Sequence, residues 1–309
     1  MNGKMSEKIV CRVLTGPTAS GKTGLGIRLA KEEGWDILCM DSMQIYRRMD
    51  IGTAKPTPAD RKTVRHHLLD LREPAENFSV SDYVAEAEKK IGELQSEGRG
   101  FILVGGTGLY LQAIMHPMGM GHVPADEALR CELNSLACGP GGREALHDML
   151  TELDPETAAR LPLNDIRRTI RAIEVSRATG IPFSRQPERI TDSEYEWKVV
   201  STAMERSLLY QRINERVDRM IEQGLREEVA GLLREGVPED AQSMNALGYK
   251  EMIPCVKGLT DIRDAADAIR TGSRHYAKRQ MTFLRRESSV RYVDVTRHDA
   301  YEEIRRILI

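Results

Sequence analysis

The sequence predicts an α/β fold, a parallel sheet flanked by helices and interrupted by a mostly helical insertion domain. Three observations carry the prediction. Over about the first hundred residues, short apolar runs alternate with longer amphipathic stretches. A glycine-rich turn joins the first apolar run to the first amphipathic one. Between residues 125 and 186 no strand pattern occurs, and helical segments are broken at Gly139-Pro140-Gly141-Gly142, Asp154-Pro155, Leu161-Pro162 and Gly180-Ile181-Pro182.

In order, residues 9–14 read as a buried strand and 24–33 as a helix. Residues 36–40 form a second strand that stops on Asp41. Val80, Tyr83, Val84, Ala87, Ile91 and Leu94 recur at helical spacing over 80–97. Residues 101–104, Phe-Ile-Leu-Val, form a third strand closed by Gly105-Gly106-Thr107-Gly108. Strand, crossover helix and strand imply a parallel sheet with its ligand site at the carboxyl ends of the strands. The Met-, Gly- and Pro-rich stretch 116–124 reads as a hinge. Beyond the insertion, 198–204 is a returning strand and 207–234 one long helix, with Leu209, Ile213, Val217, Met220, Ile221, Leu225 and Val229 on its apolar stripe. Residues 291–295 give a last strand. Residues 1–116 plus 190–309 are thus expected to form the core, and 117–189 the insertion.

At 309 residues, 40% hydrophobic and 30% charged, the chain can bury a real core. Its net charge of −2 gives no global sign of a nucleic-acid partner. No apolar run reaches the ~18–20 residues of a membrane span, and the opening MNGKMSEK lacks a signal-peptide core, so a cytoplasmic protein is expected. Five cysteines without a CxxC pair fit reduced thiols and argue against a disulfide framework or zinc cluster. His66 and His67 diverge if they lie on a strand, which speaks against a metal pair.

Gly16-Pro17-Thr18-Ala19-Ser20-Gly21-Lys22-Thr23 matches G-x-x-x-x-G-K-[ST] between a predicted strand and helix, which makes the core P-loop NTPase-like. The glycines let backbone N–H groups turn inward, and the helix N-terminus adds positive potential. Lys22 would neutralise phosphate oxygens, and the Thr23 hydroxyl can hold Mg²⁺. An ATPase or kinase normally carries an acid at the end of a second apolar strand, but 101–104 ends in Gly-Gly-Thr. The available acid is Asp41, which can serve as metal ligand, as general base or as a helix cap.

The chain resembles the tRNA dimethylallyltransferase (tRNA isopentenyltransferase) family. The resemblance rests on GPTASGKT at 16–23, DSMQIYRRMDIGTAKPT at 41–57, HHLLD at 66–70, FSVSDY at 78–83 and VGGTGLYLQA at 104–113. It continues with INERVDRMI at 213–221, NALGYKE at 245–251 and AKRQMTFLRR at 277–286. Phe283 stands where that family often has Trp. The resemblance implies that the loop holds the diphosphate of dimethylallyl diphosphate rather than ATP, with Mg²⁺ at Thr23 and Asp41. Asp41 would accept the proton of an adenine amine next to the anticodon, in tRNAs reading codons that begin with U. Arg216 would grip diphosphate beside Lys22, with Arg212 one turn before it. Contacts to the tRNA anticodon stem-loop fall on Asp41, Ser42, Met43, Gln44, Thr107, Arg130, Arg167, Arg168, Arg171, Asn245, Gly248, Tyr249 and Lys250.

Residues 270–291 hold seven Lys/Arg against the single Glu287, a local charge of +6. On one continuous helix Arg270, Arg274, Lys278 and Arg285 share a face, opposite a seam of Ile269, Tyr276 and Phe283. That face, with Arg279 and Gln280, is an expected RNA footprint. No apolar stripe is left over, so a monomer is expected. Three alternatives remain open: a relative that prenylates free AMP or ATP, a P-loop small-molecule kinase, and an RNA-binding protein with a relict loop.

Overall fold

The computed structural model describes residues 8–116, 123–186 and 194–309. The chain divides into two compact units, one within Met1–Met115 and Ser193–Ile309, the other within His116–Asp192. Most of the expected hinge at 116–124 lies outside the described residues.

The first unit begins with β1 (Ile9–Thr15), α1 (Lys22–Glu33), β2 (Asp36–Cys39), α2 (Pro58–Thr63), β3 (His66–His67), α3 (Val80–Ser96), β4 (Phe101–Val104) and α4 (Gly108–Met115). The second unit is helical: α5 (Glu127–Cys138), α6 (Gly142–Leu153), α7 (Pro155–Arg160), α8 (Ile166–Thr179) and a 3₁₀ turn at Phe183–Arg185. The first unit then resumes with β5 (Tyr195–Ala203), α9 (Arg206–Glu222), α10 (Leu225–Arg234), α11 (Tyr249–Val256), α12 (Ile262–Leu284), β6 (Val290–Asp294) and α13 (Ala300–Leu308).

The six strands lie in the order β3-β2-β4-β1-β5-β6, every pair parallel. Period-two alternation divides their side chains between two cores. Val13, Leu38, Leu103 and Val199 pack with α3, α4 and α9 to α12, whereas Leu14, Ile37, Ile102 and Val200 pack with α1 and α13. Both faces are covered, which is why these strands read as unbroken apolar runs. Local signals set the helix starts. Ser79 and Asp82 close a capping box on α3, and Thr57 and Asp60 do the same on α2.

Two sequence expectations need correction. The single helix expected at 207–234 is broken between α9 and α10 by Gly224, at φ +96°, a left-handed conformation that other residues resist. The basic helix ends at Leu284, so Arg285 is only its cap and Arg291 lies in β6. The buried stripe of α12 is Ile269, Ser273, Ala277, Gln280 and Leu284, with Tyr276 and Phe283 only part-buried. Ala277 packs against Leu209 and Ile213 of α9, whereas the polar Gln280 faces loops. Among the described residues no helix is long and apolar enough to cross a membrane.

The second unit has its own core of Leu133, Ala137, Leu146, Leu150, Ile170 and Ile173. Buried Glu174 accepts from the guanidinium groups of Arg130 and Arg171, and these hold its carboxyl below the usual range against the opposing effect of burial. Arg168 pairs with Asp165, and Arg167 is exposed.

Candidate active site

The site forms where β1, β2, β4 and β5 end. The chain leaves β1 at Thr15, turns through 16–21 and enters α1 at Lys22, so the loop amides sit at a helix N-terminus. The loop is braced from behind. The Ser20 hydroxyl lies 2.6 Å from that of Thr202 on β5, which in turn donates to the Thr15 carbonyl. The hydroxyl of Ser20 is therefore structural. From the other side Gln280 of α12 accepts from the Thr18 amide at 2.9 Å and donates to the Gly106 carbonyl at 2.9 Å. Both ends of its amide are engaged and the side chain is buried. Gln280, which also lines the cavity described next, is thus a brace between two loops, a role the sequence did not suggest.

A cavity of about 300 Å³ opens against this loop. Thr18, Lys22, Thr23, Asp41, Ser42, Met43, Gln44, Arg216, Asn245, Lys250 and Arg279 all line it. Ile213, Val217, Met220 and Ile269 supply an apolar wall, and Tyr276 adds a ring whose hydroxyl bonds Thr107. A larger cleft of about 1240 Å³ shares Lys22, Thr23 and Arg216 with it and adds Ala19, Gly21, Arg212 and Arg219.

Asp41 follows β2 without starting a helix. Its Oδ1 accepts from the amides of Met43 at 3.0 Å and Gln44 at 3.4 Å, a turn that fixes the carboxylate. Oδ2 takes no hydrogen bond among the described residues. The two oxygens of one group therefore differ, one held by the turn and the other open. Thr107 accepts from the Ser42 amide at 3.0 Å, which ties the β4 loop to this turn.

Lys22 donates to the Pro17 carbonyl at 3.2 Å. Burial, and then the Arg216 charge, pull its ammonium down to about 8, while Asp41 acts the other way. Burial also lowers the pKa of Arg216, again opposed by Asp41. Arg216 donates to the Thr53 carbonyl at 3.4 Å. Two cations at one phosphate loop need an anion between them, and a diphosphate meets that need. Lys22 loses its proton as pH rises through about 8. Affinity for inorganic diphosphate is therefore expected to fall above that value, approaching about tenfold per pH unit. Calorimetric titration across pH 6.5–9.5 checks this, and Lys22→Met should remove the slope.

Of the remaining expected contacts, Lys278 and Arg285 are exposed and do not line the cavity. Arg274 and Arg270 are part-buried, and Arg270 is already paired with Asp218 and Asp267. Gly248 caps α11. Tyr249 is corrected: it is fully buried, and its hydroxyl bonds Glu228, so no base can reach it. Sequence reading missed the apolar wall and Tyr276, whose positions on α9 and α12 read as ordinary core stripes. No group of three or more His, Cys, Asp or Glu suited to a metal occurs among the described residues. The oxygen donors present, Thr23 and Asp41, fit Mg²⁺, which takes few protein ligands when it arrives with phosphate.

Comparison with known proteins shows the family. The model of the family "IPP transferase" matches residues 44–287. A tRNA dimethylallyltransferase of Geobacillus thermodenitrificans is 47% identical over 293 residues, covering 94% of this chain and 92% of its own. The crystal structure of a tRNA isopentenylpyrophosphate transferase from Bacillus halodurans superposes with a TM-score of 0.71 at 40% identity, covering 97% of this chain and 95% of that one. A eukaryotic dimethylallyltransferase acting on tRNA shares the fold, with a TM-score of 0.78 at 24% identity over 97% of this chain and 78% of its own. From the phosphate loop to the last long helix, the chain belongs to the IPP transferase family.

Proposed function

We propose that this protein transfers the dimethylallyl group of dimethylallyl diphosphate to the exocyclic N6 amine of adenosine 37, 3′ of the anticodon, in tRNAs reading codons that begin with U. The observation that carries the reading is the shared cavity. It sets the free oxygen of Asp41, the cations Lys22 and Arg216, and an apolar wall around one space. A stacked adenine cannot enter such a space, so the base is flipped out of the anticodon loop. The amine lone pair, weak because it is delocalised into the ring, attacks the allylic carbon as the carbon–oxygen bond to diphosphate breaks. Asp41 orients the amine and takes its proton. The departing diphosphate leaves its charge on Lys22, Arg216 and the loop amides. Thr23 and Asp41 would hold Mg²⁺, which when bound supplies further charge neutralisation for the leaving group.

Ser42, Met43, Gln44, Asn245, Lys250 and Arg279 surround the flipped base, with Thr107 holding Ser42 in place. Arg130, Arg167, Arg168 and Arg171 of the helical unit meet the stem-loop, and Lys278 and Arg285 meet phosphates. The working form is a cytoplasmic monomer.

The test is a transfer assay with labelled dimethylallyl diphosphate and Mg²⁺. Acceptors are unmodified tRNA, the same tRNA with guanine at the target, and free AMP or ATP. Label is expected only in the adenine-bearing tRNA. Label in AMP or ATP would move the protein to small-molecule acceptors, and label in none would overturn the reading.

A further inference from the structure

Glu228 lies in the first turn of α10, outside the cavity, yet its carboxylate gathers four donors. One oxygen accepts from the amides of Asp50 at 2.9 Å and Ile51 at 2.8 Å; the other accepts from the Gly52 amide at 3.1 Å and from the buried Tyr249 hydroxyl. Three successive backbone N–H groups that converge on one anion form a nest, here filled by the protein's own side chain. The fit is close. A Cβ on Gly52 would stand 2.4 Å from the Tyr249 ring, so the turn can lie against α11 only with glycine at that position.

The next two residues explain why such a turn needs fixing. The Thr53 carbonyl accepts from Gln44 at 3.1 Å and from Arg216 at 3.4 Å, and the Ala54 carbonyl accepts from Gln44 at 3.3 Å. One short strap thus holds a lining residue from the base side and one from the diphosphate side. Its far end is fixed as well. Lys55, almost wholly buried, is bonded to the Tyr46 carbonyl, Asp50 and Asp70.

We infer that Glu228 is a positioning residue for the transfer reaction, setting Arg216 for diphosphate through the 50–54 strap. The inference rests on the proposed function for its reaction, but its geometry concerns diphosphate binding alone. Glutamine at 228 would turn an NH₂ group towards a backbone N–H and release part of the nest. In the full-length protein, Glu228→Gln is expected to weaken inorganic diphosphate binding, and to raise KM for dimethylallyl diphosphate, by about tenfold. Glu228→Asp keeps the charge but not the reach, and about threefold is expected. Thermal melting shows which variants fold; if the glutamine variant does not, the aspartate variant decides. Wild-type diphosphate affinity in the folded variants would overturn the inference. So would a lower kcat with KM unchanged, the signature of lost active protein. Absence of transfer by the wild type would remove the proposed function while calorimetry still tested Glu228.

Discussion

Asp41→Asn is expected to slow transfer by about 10²–10⁴-fold with tRNA affinity kept within about threefold. The substitution is narrow because the turn holds one oxygen of Asp41 and the proposed proton transfer falls on the other. Asparagine still presents an oxygen to the Met43 and Gln44 amides, so the turn survives. What it cannot do is accept a proton at the second position. Single-turnover quench measurements at pH 7, with enzyme in excess over labelled tRNA, isolate this step from release of product. A rate near wild type would remove the general-base role. Asp41→Ala is the control: it removes the turn as well, so tRNA affinity should fall along with the rate.

Lys22→Met is the second large effect, expected to lower kcat/KM for dimethylallyl diphosphate by about 10²–10³. Methionine fills much of the same volume, so the loss is one of charge in a place where water screens poorly. The tRNA side should be nearly unaffected, because in the proposed reaction the lysine meets only the diphosphate. Arginine should not rescue, since its wider fork does not fit where Nζ reaches the Pro17 carbonyl at 3.2 Å. Unchanged KM and kcat in Lys22→Met would place the diphosphate elsewhere.

The parts of this molecule legible in the sequence are those whose signal is local. Residues 101–104 are apolar throughout and form β4 with the expected bounds, because a strand covered on both faces has no polar positions. The phosphate loop is legible for a similar reason, since its backbone path is dictated within eight residues. Strand β3 is only two residues long and owes its existence to pairing with Ile37 and Leu38, which nothing near His66 announces. The break at Gly224 was masked by an apolar stripe that runs on through it. The 245–251 segment shows both sides. Family resemblance marks the whole stretch, yet Asn245 and Lys250 line the cavity while Tyr249 turns inward. The periodicity of Tyr249, Met252 and Ile253 carries that distinction.

Gln280 also bears on how the protein is made. Its bond to the Thr18 amide joins residues 262 positions apart. At roughly 5–20 residues per second, the ribosome delivers the phosphate loop some 13–50 s before the side chain that completes it. Through that interval the loop lacks its brace on one side. Any lesion that stops synthesis short of the last long helix is then felt at the opposite end of the sequence, as a phosphate motif that is present but unbraced on that side.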